Sequence, residues 1–135
     1  MGSRTPMRVV VALLLGCGLL LTTPATAWDA DYGGVWRGDG VLRKGCHDYS
    51  FRYRVRPGNN DWGAEFYLIG PGREGLGTVN RLSGNHSRRG RAFFEVCRSS
   101  TRQGRFRIRG RLTIVRGFDS EVRWVKPARF RLGRP

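Results

Sequence analysis

The chain has 135 residues, which is one domain at most. It carries 25 Lys and Arg against 10 Asp and Glu, a formal net charge of +15. This excess favours an anionic partner, and the length excludes a large multidomain enzyme.

The first 27 residues have the three parts of a secretory signal peptide. Residues 1–8 contain Arg4 and Arg8 and no acid, residues 9–21 are almost wholly apolar, and Ala25-Thr26-Ala27 gives a small-x-small cleavage site. The apolar run is shorter than the roughly 20 residues of a membrane span. We therefore expect a secreted or extracytoplasmic protein, with one basic β domain at 28–135 and no transmembrane span after processing.

Cys17 lies inside the apolar run. Leu14-Leu15-Gly16-Cys17 resembles the lipobox of bacterial lipoproteins, in which the cysteine is acylated. The run stays apolar through Leu21, whereas lipoproteins usually turn polar after the cysteine. We expect Cys17 to be a small apolar residue of the signal core, with a lipid anchor as the alternative.

Two cysteines, Cys46 and Cys97, remain after processing. An even pair in an oxidising compartment predicts a disulfide. The loop of about 50 residues between them gives on the order of 4 kcal/mol of stabilisation in the chain-entropy model. A nucleophilic pair of Cys46 with His47 is the alternative, which is disfavoured because catalytic partners are rarely sequence neighbours.

Apolar and polar residues alternate through most of the mature chain, and no helix-length pattern interrupts them. The alternation is clearest at 105–115, where four apolar side chains share one face: Phe106, Ile108, Leu112 and Ile114. Gly, Asn and Pro divide the chain into about seven to eight strands. We expect an all-β fold, a small single-domain antiparallel β-barrel or sandwich with one disulfide.

In the first strand, alternation places Gly38 and Gly40 on the same face as Trp36, where they leave space beside the ring. Tyr32-Gly33-Gly34-Val35-Trp36 resembles the Gly-x-Trp opening of calycins, the lipocalin and avidin group of small exported barrels. The resemblance covers these five residues. It implies a barrel in which Trp36 packs across the base against a basic residue of the last strand, and it makes Trp36 a possible contact for a small ligand held inside.

Two rows of arginine supply the candidate binding residues. Each row occupies one face of a predicted strand, and arginine offers a planar fork that matches phosphate and carboxylate. The candidates are Arg52, Arg54, Arg56, Arg105, Arg107, Arg109 and Arg111. They predict an anionic partner, whether a cell-envelope polymer, lipid headgroups or an acidic protein, with solvation by bulk ions as the alternative.

A nucleic-acid partner is disfavoured at this stage. Rings that stack on bases must be exposed. Phe51, Tyr53 and Phe106 fall on the face opposite the arginines, where a core is expected.

Residues suited to catalysis are few. His47 and His86 are the only histidines, and neither has a recognised ligand spacing, so we expect no metal and no cofactor. Glu95 alternates with Phe93 and Cys97, which allows it to face inward beside an arginine. We expect no enzymatic activity, with a hydrolase as the last alternative.

The sequence therefore predicts a monomeric, exported, non-enzymatic binding protein. One alternative is a calycin-like carrier of a small apolar ligand. The other is a secreted enzyme inhibitor that presents the loop at 70–77, with Arg73 and Glu74 at its centre.

Overall fold

The computed structural model describes residues 27–135. The predictions of a signal peptide and of the role of Cys17 fall outside these residues, except for Ala27. Two 3₁₀ turns, at Ala30–Tyr32 and Arg98–Ser100, accompany eight strands. The strands are β1 (Gly33–Trp36), β2 (Gly40–Val41), β3 (Cys46–Val55), β4 (Trp62–Ile69), β5 (Gly75–Leu82), β6 (Arg89–Cys97), β7 (Gly104–Arg116) and β8 (Asp119–Gly133).

The strands form one sheet that curls into a nearly closed barrel. Their order is β5-β4-β7-β8-β1-β3-β6, with β2 also paired to β8. The pairs are antiparallel except where β1 and β2 run parallel to β8. The predicted all-β fold, barrel shape and strand number are confirmed.

The inward faces of the strands fill the barrel with apolar side chains. Phe51 lies near the centre, with ring centroids 5.4 Å from Phe66 and 4.9 Å from Phe94. Phe106 and Phe130 stack at 5.7 Å nearer one end. Because every second residue of β3, β4 and β7 is buried, the arginines between them are held on the outer surface.

The long β7–β8 hairpin is bent at Gly110. The register shifts between Ile108 and Gly110, which marks a bulge. A Cβ atom at Gly110 would lie 2.6 Å from a methyl group of Val125, so no larger residue fits without movement. The bend lets the sheet curl around the core.

The predicted disulfide is confirmed. Cys46 and Cys97 lie directly opposite each other at the ends of β3 and β6, 51 residues apart in sequence. The bond closes a long loop of the unfolded chain, and the chain-entropy model gives about 4 kcal/mol for this.

Candidate anion-binding face

The outer face of β3 and β6 pairs like charges directly across the strands. Arg52 lies opposite Arg91, and Arg54 lies opposite Arg89. All four side chains are exposed. Like charges in this arrangement repel each other and destabilise the strand pair.

Acidic residues lie on the same face but not beside these arginines. Asp48 is opposite Glu95, near the disulfide end of the strand pair. Four residues along β3 separate Asp48 from Arg52, a distance of about 13 Å at 3.3 Å per residue. Glu95 is exposed, so the expectation that it faces inward is wrong. Charges on β3 and β6 are thus sorted into an acidic end and a basic end.

The basic end stays unneutralised within the described part of the chain. The salt bridges among residues 27–135 join Glu65 to Arg111, and Glu121 to Arg116 and Arg123. None of them reaches the four arginines of β3 and β6.

Trp36 lies on this outer face, next to Arg52. Its side chain is 44% exposed, whereas Val35 beside it is buried. The expectation that Trp36 contacts a ligand in the barrel interior is therefore wrong, because strand alternation sends Val35 inward and Trp36 outward. The indole ring covers Gly34, since a Cβ there would lie 3.1 Å from the ring.

Arg37, which sequence reasoning missed, is partly buried against two rings of the core. Its guanidinium carbon is 5.4 Å from the ring centroid of Tyr49 and 5.2 Å from that of Phe130. It donates a hydrogen bond to the carbonyl of Ser50. Burial lowers the pKa of Arg37 from its ordinary value. The end of β1 at Trp36 breaks the alternation that placed Gly38 and Gly40 on the same face as Trp36.

Two open depressions flank Trp36. One has a volume of about 620 Å³, and the other about 590 Å³. Trp36, Arg52 and Arg91 line both of them. We call the two together the Trp36 groove, whose cationic residues are Arg37, Arg52, Arg54, Arg89, Arg91, Lys126 and Arg129.

One carboxylate, that of Asp39, also lines the groove. It accepts a hydrogen bond from the backbone N–H of Arg131 at 2.7 Å. Asp39 therefore serves to fix the loop after β1, and cations greatly outnumber anions along the groove.

The second predicted row, on β7, divides into two halves. Arg105 and Arg107 lie opposite Arg131 and Arg129 of β8, again as like-charged pairs. Burial, followed by repulsion from Arg109, Arg129 and Arg73, lowers the pKa of Arg107.

Arg109 and Arg111 already have partners within the fold. The Arg109 guanidinium carbon is 4.1 Å from the ring centroid of Trp124. Arg111 donates to Glu65 through its Nε at 2.7 Å and also forms a salt bridge with it. These two arginines are less available to a partner than the other arginines of the two rows.

Arg129 connects the two rows. It lines the Trp36 groove and also a pocket of about 200 Å³ on the far side of β8. We call this the Trp124 pocket, and it is lined by Trp28, Arg107, Arg109, Trp124, Val125, Pro127 and Arg129. Arg56 is exposed just beyond the end of β3 and outside the residues that line either site.

The two histidines contact nearby backbone groups, His47 from the start of β3 and His86 from the turn after β5. His47 Nε2 lies 2.7 Å from the carbonyl of Lys44, and His86 Nδ1 accepts from the N–H of Leu82 at 3.2 Å. Among residues 27–135, no cluster of three or more His, Cys, Asp or Glu is placed to hold a metal ion. No helix in the same range is long and apolar enough to cross a membrane.

The loop at 70–77 is held by its own glutamate. Glu74 accepts a hydrogen bond from the Thr101 hydroxyl at 2.6 Å. This bond is the main cause of the lowered pKa of Glu74. Arg73 remains exposed at the turn with a φ of 66°. Glu74 is therefore turned back toward the protein, and of the two residues proposed for an inhibitor loop only Arg73 is presented.

No protein-family model matches the chain, and no curated protein matches it. The calycin resemblance therefore stays a prediction that depends on five residues of the first strand.

Proposed function

We propose that this protein is an exported binding protein whose basic outer face engages an anionic polymer or surface. The observation that carries the proposal is the pairing of Arg52 with Arg91 and of Arg54 with Arg89. A sheet selected for stability alone would place Asp48 and Glu95 opposite arginines, because opposite charges across strands attract. A bound anion offsets the repulsion that this arrangement leaves.

The Trp36 groove is the centre of this face. Its cations come from strands β3, β6 and β8 and from Arg37 in the loop after β1, so an extended anion lying across the strands would contact several of them in turn. Arginine forks bind phosphate, sulfate and carboxylate in two-point contacts.

The packed interior favours this proposal over a carrier function. Large rings in contact occupy the middle of the barrel, and Gly38, expected to leave space beside Trp36, is exposed instead. A ligand held inside would have to displace core side chains.

The substitution Arg91→Glu tests the proposal through two opposite effects. It places a carboxylate opposite Arg52, so the free energy of unfolding is expected to rise by about 0.2–1 kcal/mol. Affinity for inorganic polyphosphate is expected to fall at least tenfold, because one contact is lost and one repulsion is added. Urea unfolding and fluorescence titration measure the two quantities.

Arg98→Glu is the matched control. It makes the same change in net charge at the other end of β6. If both variants weaken polyphosphate binding equally, the groove is not the binding site and only net charge matters. If the unmodified protein binds no polyanion at all, the proposed function is wrong.

A further inference from the structure

Exposed aromatic rings lie among the arginines of the outer face. The sequence pattern placed Phe51, Tyr53 and Phe106 in the core, and all three are buried there. Two tryptophans are not buried, however: Trp36 is 44% exposed and Trp28 is 51% exposed. The folded protein therefore has exposed rings near its arginines, so a nucleic-acid partner is no longer disfavoured for lack of a stacking surface.

The Trp36 ring is positioned as a platform. Gly34 lies beneath it, with no side chain to lift it from the sheet, and the strand on one side presents Arg52. Lys126 lies opposite Gly34 on the other neighbouring strand. The ring therefore stands between cations from two strands, with solvent-accessible depressions on both sides.

A second aromatic group continues this arrangement across β8. Trp28 pairs with Trp124 in an isolated bridge, and both line the Trp124 pocket together with Arg107 and Arg129. Arg129 is shared with the Trp36 groove. Rings and arginines thus occur together twice along one continuous surface.

A polyanion without rings would use the arginines and gain nothing from an exposed indole. A single-stranded nucleic acid would use both, because its phosphates contact arginine and its unpaired bases stack on aromatic side chains. A duplex hides its bases, so it cannot stack in the same way.

We infer that the anionic partner is a single-stranded nucleic acid, with one base stacked on Trp36 and the flanking phosphates bound by Arg52, Arg54, Arg89 and Arg91. This inference rests on the proposed function, since it names the class of anion that the same groove takes. It assigns affinity for any polyanion to the arginines and preference among polyanions to the tryptophan.

The experiment compares a 12-nucleotide oligo-dT with an abasic strand of equal length and equal phosphate number. Stacking of one base predicts that oligo-dT binds about 5- to 150-fold more tightly. Trp36→Ala is expected to reduce the ratio of the two affinities to near one, because it weakens binding of oligo-dT far more than binding of the abasic strand. Trp36→Phe, which keeps a ring, is expected to retain part of the preference.

Phe118→Ala is the control for removal of an exposed ring. Phe118 is fully exposed at the turn between β7 and β8, away from the groove, and its loss is expected to leave the ratio unchanged. Circular dichroism of each variant checks that the fold is kept.

Three results would overturn the inference. The first is equal affinity of the protein for oligo-dT and for the abasic strand. If Arg91→Glu weakens the binding of both strands, the proposed function stands and only base stacking on Trp36 is excluded. The second is a preference that survives Trp36→Ala. The third is tighter binding to vesicles of anionic phospholipid than to oligo-dT, which would assign the face to a membrane surface.

Discussion

At the scale of single residues, Arg37 shows how a charged side chain can pack against a barrel core while staying partly exposed. Its guanidinium lies over two buried rings, Tyr49 and Phe130. The planar shape of the group matters here as much as its charge, because stacking needs a flat surface.

Arg37→Lys tests this role. Lysine keeps the charge but loses the planar contact and the hydrogen bond to the carbonyl of Ser50. We expect the free energy of unfolding to fall by about 1–2 kcal/mol, measured by urea denaturation. Arg43→Lys, at an exposed position between β2 and β3, is the control. Equal losses in the two variants would show that stacking by Arg37 contributes nothing.

Trp36 and Arg37 also show where residue-level prediction from the sequence fails. The Gly34-Val35-Trp36 pattern predicted a strand correctly, but the inward side chain could not be chosen for so short a strand. One face of this strand carries Val35 and the other carries Trp36, and both side chains are large and apolar. The outcome was decided by the ring's fit over Gly34 and by the break after Trp36, both of which are tertiary features.

At the scale of elements, alternation predicted the long strands well. Phe51 and Tyr53 face inward on β3, and Phe106, Ile108, Leu112 and Ile114 face inward on β7, as expected. The period of two is a strong signal in these strands because one face is wholly apolar. The arginines between them were consequently placed on the correct surface.

Strand register could not be predicted. The pairing of Arg52 with Arg91 depends on how β3 aligns with β6, two strands that are separated in sequence by β4 and β5. Nothing local fixes that alignment. The disulfide fixes the register, because once Cys46 lies opposite Cys97 every other residue of β3 has a defined partner on β6. Arg89 and Arg91 were missed as site residues for this reason.

We expect the free energy of unfolding to depend on pH through Glu74, which lies in the turn between β4 and β5. The hydrogen bond from Thr101 lowers the pKa of Glu74 in the folded protein below its ordinary value. A lowered pKa means that Glu74 stabilises the fold above the unfolded-state pKa, and that this contribution is lost as the pH falls through the folded-state pKa.

Glu74→Gln is therefore expected to unfold more easily than the unmodified protein at pH 7. The difference between the two is expected to shrink as the pH falls through the folded-state pKa of Glu74, and urea denaturation at a series of pH values measures it. Thr101→Val is expected to behave in the same way with a smaller difference. A difference that stays constant with pH would show that ionisation of Glu74 does not stabilise the turn.

At the scale of the whole molecule, charge is distributed unevenly over the barrel. Three acids are used locally: Glu65 binds Arg111, Glu121 binds Arg116 and Arg123, and Asp39 holds the loop after β1. The arginines of β3, β6 and part of β8 are left as a continuous basic face. Composition alone predicted that the ten acids could not neutralise the excess, but only the fold shows where the excess lies.

The measurement that tests the central claim most directly is the salt dependence of oligo-dT binding. Four phosphates held by Arg52, Arg54, Arg89 and Arg91 predict a slope of log K against log salt near −3, since each contact on a single strand contributes about −0.7. Arg91→Glu is expected to make the slope shallower by about 0.7 or more, and Arg98→Glu to leave it unchanged. A slope near zero, or equal slopes in the two variants, would contradict a binding role for the basic face.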